Sequence, residues 1–302
     1  MKSQLIKLLP KVKGKYLKNE SLSKHTWFGV GGPAEIMYIP EDEDDLIFFL
    51  KNKPNNLPLF IIGGGSNLLI RDGGVPGVII KLDSPFFKKV KIDDGKITCG
   101  AGVKNVELKK VFLENEIGGL EFLASIPGRV AGSLKTNAGC FGKEAKDVIL
   151  EASIINYEGK KDTVSVSDFK LSYRDSCFPD DWIITSLTFK TEPSSKEEIK
   201  KVLDEHKEYR TKNQPYNQKT AGSTFKNPIG LKAWELIKNS GCDQLEIGGA
   251  KVSEKHCNFL INTGRATAKD IEELGETIIK KVKEKTSITL EWEVKRLGIK
   301  KK

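Results

Sequence analysis

Two glycine-rich segments have few side chains and leave many backbone N–H groups open to a ligand. The first is residues 63–67 (GGGSN), and the second is residues 118–142 (GGLEFLASIPGRVAGSLKTNAGCFG). Glycine is needed where φ is positive or where a Cβ atom would block a close approach to the backbone. Successive N–H groups in such loops bind anions. These segments predict a cradle for a large, partly anionic cofactor, and an irregular core loop is the alternative.

Three further residues have side chains that suit acid–base or anion chemistry, but each also has a plain structural interpretation. Ser223 lies in AGSTFKNP, which resembles a loop that presents a hydroxyl beside the ammonium of Lys226, although the sequence by itself favours a turn or cap serine. Arg174, in SYRDS, is either functional or paired with a neighbour such as Asp175. Glu293 lies on the polar face of an alternating strand. Composition alone does not select these three residues.

Cysteine and histidine usage argues against a metal or disulfide framework. The five cysteines have no CxxC spacing and the three histidines are scattered, so no metal site is predicted. His256, near Asn258, contacts a ligand or satisfies its own loop backbone.

The balance of 50 basic against 41 acidic residues gives a net charge of +9. The lysines are dispersed and no nucleic-acid motif is present, so this charge better fits attraction of small anionic substrates. The N-terminus lacks the apolar core of a signal peptide, and no run approaches the ~18–20 apolar residues of a membrane helix. The sequence therefore predicts a soluble, cytoplasmic protein.

The hydrophobic patterns predict an α+β protein. Helices are expected over 41–50, 105–117, 195–209, 231–239 and 268–284, with hairpins at 88–100 and 148–166. Strands are expected at 59–62, 68–70, 78–82, 171–178, 182–190 and 287–298. The composition changes after residue 190, which places a domain boundary near residue 195.

Seven ordered blocks across nearly the whole chain resemble the UDP-N-acetylenolpyruvoylglucosamine reductase family. The blocks are HTWFGVGGPA, GGGSNLLIRD, GLEFLASIPGRVAGSLKTNAGCFG, LSYRDS, AGSTFKNP, GGAKVSEKHCNFLIN and LEWEVKRLG. No sizeable insertion follows LSYRDS, so the chain is similar to the shorter subclass, which lacks the tyrosine loop. The resemblance implies an FAD-binding PCMH-type (vanillyl-alcohol-oxidase-like) region over 1–195, with subdomains of about 20–85 and 86–195. A smaller α+β domain over 196–302 would bind the UDP-sugar.

The resemblance also implies site residues. The predicted contacts of non-covalent FAD are Gly63, Gly64, Gly65, Ser66, Asn67, Ile126, Pro127, Gly128, Gly132, Asn137, Ala138 and Gly139. The predicted contacts of the UDP-sugar are Lys226, Asn227 and His256. The catalytic trio of the family falls on Arg174, Ser223 and Glu293.

The implied reaction belongs to peptidoglycan precursor synthesis, and so to cell-wall biogenesis, cell shape and cell division. NADPH reduces FAD, and the enolpyruvyl ether of UDP-N-acetylglucosamine then receives hydride and a proton to become UDP-N-acetylmuramate. Arg174 would bind the substrate carboxylate, Glu293 would assist when protonated, and Ser223 would donate the proton. No protein, nucleic-acid or membrane partner is expected.

Two positions depart from the family pattern, because Thr136 replaces a bulky apolar residue and Phe141 replaces a tyrosine. These changes leave the flavin contacts there open. Two alternatives remain: another PCMH-type oxidase or dehydrogenase of a small alcohol or hydroxy acid, and a basic nucleic-acid-binding protein.

Overall fold

The structure is a computed structural model that describes residues 4–301. Within these residues the helices are α1 Glu43–Asn52, α2 Leu108–Asn115, α3 Glu121–Ser125, α4 Val130–Lys135, α5 Lys196–Asn213, α6 Ala233–Asn239 and α7 Ala268–Thr286. The strands are β1 Lys15–Ser21, β2 Pro33–Ile39, β3 Leu59–Ile61, β4 Leu68–Ile70, β5 Val75–Ile80, β6 Val90–Asp93, β7 Lys96–Gly100, β8 Ile117–Gly118, β9 Gly139–Cys140, β10 Lys143–Glu144, β11 Ile149–Asn156, β12 Lys161–Ser165, β13 Trp182–Lys190, β14 Glu192–Pro193, β15 Glu246–Ile247, β16 Ala250–Val252, β17 Leu260–Asn262 and β18 Lys295–Leu297.

The largest sheet is antiparallel and has the order β12-β11-β13-β7-β6. Both predicted hairpins are confirmed as neighbouring pairs in it, β6 with β7 and β11 with β12. The first turns at Asp94 and Gly95, whose φ angles of 37° and 69° match the left-handed conformation of tight hairpin turns. A second sheet has the order β1-β2-β5-β3, in which β3 and β5 run parallel.

Capping fixes where the main helices begin. Asp42 accepts a hydrogen bond from the Asp45 N–H at 2.8 Å, and three acidic residues follow in the first turn of α1. Helix α7 begins with a capping box between Thr267 and Asp270, in which each side chain accepts from the backbone of the other. These ends agree with the sequence prediction of a helix after the acidic run and another near residue 268.

The predicted strand over 171–178 is wrong. Ser172 and Asp175 exchange backbone hydrogen bonds at 3.0 and 3.1 Å, which closes a turn instead of extending a strand. Arg174 and Cys177 have φ angles of 59° and 48°, in the left-handed region that strands do not use.

The predicted last strand is only partly a strand, since β18 covers Lys295–Leu297 and pairs parallel with β4. The residues before β18 nevertheless show the predicted alternation, because Leu290 and Val294 are buried while Glu291 and Lys295 are exposed.

The described chain forms two compact units, each with apolar cores of its own. The first unit contains residues 4–18, 36–64 and 77–208, and the second contains residues 19–35, 65–76 and 209–301. The first unit packs one core against the five-stranded sheet and another around α1. The core of the second unit lies against α7. The functional division at residue 195 remains a prediction, and its ends at residues 1–3 and 302 lie outside the described residues.

Candidate functional site

In the first unit, the two glycine-rich segments meet backbone to backbone. A Cβ atom on Gly64 would lie 2.9 Å from the Cα atom of Gly128, closer than real side chains approach. A Cβ atom on Gly63 or on Gly132 would meet nothing within 4 Å. Gly64 is therefore required by packing against Gly128. At Gly63 the backbone borders open space in which a ligand can approach it directly.

In the second unit, the same loop continues as Gly65, Ser66 and Asn67. Gly65 has a φ angle of 67°, and a Cβ atom there would overlap the carbonyl oxygen of His25. The Asn67 amide donates to the Glu293 carbonyl at 3.2 Å, and the Lys295 N–H donates to the Asn67 carbonyl at 3.1 Å. Asn67 is thus fixed to the segment that contains the predicted catalytic Glu293.

Arg129 anchors the predicted flavin segment Ile126–Gly128 from inside the first unit. Its guanidinium is 8% exposed and donates to the Gly102 carbonyl and, at 2.7 Å, to the Asp83 carboxylate. Lys88 is the second cation on Asp83, also at 2.7 Å. Burial opposes the charge of Asp83, but the hydrogen bonds from Lys88 and Arg129 outweigh it and hold its pKa at about 2.

Asn137 organises the other predicted flavin loop. Its side chain is fully buried and donates to the Ser172 carbonyl at 2.9 Å and to the Glu144 carboxylate at 3.1 Å, while accepting from the Lys146 N–H at 3.1 Å. Its φ angle is 39°, a left-handed conformation that asparagine tolerates better than most residues. These buried hydrogen bonds of the Asn137 side chain therefore fix the conformation of the loop. The sequence did not predict this structural role.

Arg174 is brought to this loop by the turn at Ser172–Asp175. Its guanidinium donates to the Gly139 carbonyl at 3.1 Å and stacks 4.8 Å from the centre of the Tyr173 ring. Within the first unit the predicted catalytic arginine is therefore held against a predicted flavin-contacting residue.

The second unit places the other two catalytic candidates on adjacent extended segments. Ser223 forms an isolated bridge with Phe259 on one side. On the other side, the Glu293 N–H donates to the Thr224 carbonyl at 2.8 Å, and Phe225 bridges Trp292. Residues 223–226 thus lie between the segment that contains Phe259 and the segment that contains Trp292 and Glu293. Glu293 lies opposite Thr224, so it is one residue out of register with Ser223.

Asn258, which is not among the predicted site residues, holds this arrangement in place. Its buried side-chain amide accepts from the Phe225 N–H at 3.0 Å and donates to the Phe225 carbonyl at 2.8 Å. Its own carbonyl accepts from the Thr224 N–H at 2.7 Å. The sequence did contain a signal for this role, since Asn258 lies among apolar residues at 257–260. An amide buried there needs hydrogen-bond partners for both its oxygen and its NH₂ group.

The three predicted substrate-binding residues have different surroundings. Lys226 lies 3.8 Å from the exposed Glu291 carboxylate, an ion pair that solvent weakens. The Asn227 side chain accepts from the Ala233 N–H at 3.0 Å and so supports the start of α6. His256 packs its ring against Trp234 and Phe259, and burial lowers its pKa. These contacts position all three residues but do not test their predicted roles.

The residues present fit FAD. The loops of the first unit give bare backbone at Gly63 and Gly132, which suits a large planar or phosphorylated group. Two buried polar atoms beside the predicted flavin segments, Asn105 Oδ1 and Arg129 Nε, have no hydrogen-bond partner among residues 4–301. Asn105 also donates to the Ile126 carbonyl at 3.2 Å, which places this polar group directly behind the segment.

Across residues 4–301, the structure has no group of three or more histidine, cysteine, aspartate or glutamate side chains arranged to hold a metal ion. Among the same residues, no helix is long and apolar enough to span a membrane.

Comparison with known proteins defines first the class and then the family. Residues 34–165 match the family model of an FAD binding domain, so the chain is an FAD-containing oxidoreductase with the predicted α+β fold. Residues 214–297 match the model described as the UDP-N-acetylenolpyruvoylglucosamine reductase, C-terminal domain.

Relatives over the full length agree with these matches. The UDP-N-acetylenolpyruvoylglucosamine reductase of Bradyrhizobium sp. (strain ORS 278) is 47% identical over 97% of this chain and 95% of its own. The enzyme of the same name from Parvibaculum lavamentivorans is 45% identical over 98% of this chain and 96% of its own. The crystal structure of the Thermus caldophilus reductase has a TM-score of 0.82 at 32% identity, over 95% of this chain and 100% of that one. The chain belongs to the UDP-N-acetylenolpyruvoylglucosamine reductase family, which confirms the family predicted from the sequence.

Proposed function

We propose that this enzyme uses NADPH to reduce the enolpyruvyl ether of UDP-N-acetylglucosamine enolpyruvate to UDP-N-acetylmuramate. The observation that carries the proposal is that Ser223 and Glu293 lie on adjacent, hydrogen-bonded segments of the second unit, one residue out of register. Relatives that carry the reductase name over nearly the full chain support the same reaction. We assign FAD to residues 1–195 and the UDP-sugar to residues 196–302.

FAD, when bound, supplies the redox chemistry by accepting hydride from NADPH and delivering it to the terminal alkene carbon of the enolpyruvyl group. The residues proposed to hold it are the loop Gly63–Asn67, the segment Ile126–Gly128 with Gly132, and the segment Asn137–Gly139. Their glycines let backbone N–H groups approach the cofactor, and Arg129 and Asn137 fix the shapes of the two flavin segments.

Arg174 is proposed to bind the substrate carboxylate. Hydride addition builds negative charge on the carbon next to that carboxylate, as in an enolate, and a permanently charged guanidinium stabilises this charge. The hydrogen bond from Arg174 to Gly139 at 3.1 Å limits the freedom of its side chain before substrate arrives. Glu293, in its protonated form, adds a second hydrogen bond to the same carboxylate.

Ser223 is proposed to donate the proton that completes the lactyl ether. A serine hydroxyl is a weak acid, so the donation depends on fixed geometry and on nearby positive charge such as that of Lys226. The backbone bonds on both sides of residues 223–226 supply the fixed geometry.

Lys226 and Asn227 are proposed to contact the UDP-sugar, and His256 to line the same site. The net charge of +9 favours the approach of both anionic substrates. A reaction of peptidoglycan precursor synthesis places the protein in the cytoplasm and connects it to cell shape and cell division.

The test is anaerobic. NADPH is expected to bleach the visible absorption of the purified protein near ~450 nm, and UDP-N-acetylglucosamine enolpyruvate is expected to restore it. Bleaching without recovery would show a flavoprotein with a different acceptor, and the proposed reaction would then be wrong.

A further inference from the structure

Helix α5 places one histidine between the two predicted flavin segments of the first unit. His206 Nδ1 lies 3.2 Å from the hydroxyl oxygen of Ser125, the residue directly before Ile126. The His206 ring also stacks on Phe141, two residues after Gly139, with ring centres 3.7 Å apart and planes within 2° of parallel. We name this contact set, Ser125, His206 and Phe141, the His206 bridge.

The Phe141 side of the bridge belongs to a loop that needs outside support. Asn137, Phe141 and Gly142 have φ angles of 39°, 54° and 78°, so the loop contains two non-glycine residues in the left-handed region. A phenylalanine in this conformation is strained and persists only when surrounding contacts hold it. Asn137 is held by its buried hydrogen bonds, and the coplanar stack on His206 holds Phe141.

The Ser125 side fixes the end of α3. Ser125 also contacts the Glu121 carbonyl at 3.3 Å, so its hydroxyl lies between its own helix and the histidine ring. The next residues, Ile126–Gly128, lead to the close approach between Gly128 and Gly64. A shift of Ser125 would therefore be passed directly to the predicted flavin segment.

We propose that His206 is a positioning residue that fixes the distance between the Ile126–Gly128 and Asn137–Gly139 segments and thereby sets the affinity for FAD. The inference rests on the proposed assignment of these two segments to the cofactor. His206 acts on the two segments through its contacts with Ser125 and Phe141. Its proposed role is to position these segments, and it takes no part in hydride or proton transfer. Phe141 supplies the apolar ring for the stack.

The test compares FAD affinity with protein stability in variants of the full chain. His206→Ala removes both contacts, His206→Phe retains the ring, and His206→Asn retains a hydrogen-bonding group for Ser125. Leu203→Ala is the matched control, because Leu203 is buried on the same helix but lies outside the bridge. For each apo-protein, FAD binding is followed by quenching of flavin fluorescence, the bound flavin by visible circular dichroism, and stability by urea unfolding.

His206→Ala is expected to raise the dissociation constant of FAD about tenfold or more and to change the circular dichroism of the bound flavin. His206→Phe and His206→Asn should each recover part of the affinity. Leu203→Ala should lower the urea midpoint at least as much while leaving the dissociation constant within about twofold of wild type.

Two results would overturn the inference: unchanged FAD affinity in His206→Ala, or affinities that simply follow the urea midpoints of all variants. Should His206→Ala fail to fold, the same two measurements are made on His206→Phe. An FAD dissociation constant and a flavin circular dichroism equal to those of wild type would then overturn the inference. Failure of the wild-type apo-protein to bind FAD at all would instead contradict the cofactor assignment in the proposed function.

Discussion

Gly63 and Gly64 are neighbours in the sequence, yet an added methyl group would meet different surroundings at each. At Gly64 the methyl would press on the backbone of Gly128, whereas at Gly63 it would enter open space. Backbone atoms cannot move aside as a flexible side chain can, so the first change strains the protein itself. The second change affects only what binds beside the loop.

We expect Gly63→Ala to leave the urea midpoint of the apo-protein close to wild type and to raise the dissociation constant of FAD about tenfold. Gly64→Ala should lower both the urea midpoint and the affinity, because it separates the two glycine segments. Fluorescence titration and urea unfolding of both variants check this pair. Wild-type FAD affinity in Gly63→Ala would mean that the open space there is not the cofactor site.

Ser223→Ala is expected to leave flavin bleaching by NADPH nearly intact and to slow recovery with the enolpyruvyl substrate by about 10²–10⁴-fold, the usual contribution of a positioned acid. Stopped-flow absorption separates the two half-reactions. Ser253→Ala is the matched control, since Ser253 is a buried serine of the same unit outside the predicted site. Unchanged recovery in Ser223→Ala would remove Ser223 from the proton transfer.

At the scale of elements, the segment between α3 and α4 depends on one charged contact. Arg129 is nearly buried and joins this segment to Asp83 and to the Gly102 carbonyl. Asp83 follows β5, and Gly102 follows β7, so a single side chain connects the predicted flavin segment to the chain just after each of these strands. A buried guanidinium without its carboxylate is costly, which makes the pair necessary to the local fold.

We expect Asp83→Asn to lower the free energy of unfolding at neutral pH by about 1.5–3 kcal/mol, the usual cost of losing a hydrogen bond to a charged group. The pKa of Asp83 in the folded protein is about 2, below its ordinary value of 3.8, so its contribution is present above that ordinary value. It is lost as the pH falls from 3.8 towards about 2.

The measurement is urea unfolding of wild type and Asp83→Asn at several pH values. The difference between them should shrink below about pH 4. A difference that stays constant down to about pH 2.5 would show that the carboxylate charge does not act through this contact.

At the scale of the whole molecule, each unit contains one histidine whose ring is poorly hydrated. Burial lowers the pKa of His206 in the first unit and of His256 in the second, below the ordinary value of 6.5. The unfolded chain therefore binds protons more readily than the folded protein as the pH falls through 6.5. The consequence is that stability decreases on the acidic side of neutrality well before the carboxylates titrate.

We expect the urea midpoint to fall between about pH 7.5 and pH 5.5, and to fall less in a His206→Phe, His256→Phe double variant. A wild-type midpoint that does not change across this range would show that both rings accept protons equally well in the folded and unfolded states.

The sequence predicted the pattern of elements where local rules decide it. The acidic run at 41–45 predicted α1, the Asp94-Gly95 turn predicted the β6–β7 hairpin, and the alternation over 288–294 predicted the buried face of that segment. The prediction was wrong for residues 171–178, where a strand-like composition is overridden by a turn with Arg174 in a left-handed conformation.

The sequence alone determined the family, the α+β class and the presence of an FAD-binding domain, because each of these depends on short blocks of glycine and polar residues in a fixed order along the chain. Only the tertiary structure decided which residues contact those blocks: Asp83 contacts Arg129, Asn258 contacts the Ser223 segment, and His206 contacts Ser125 beside a predicted flavin segment. These partners lie 46, 33 and 81 residues apart along the chain. Hydrogen bonding and ring stacking act over a few ångströms in space, so the spacing of residues along the sequence does not predict such contacts.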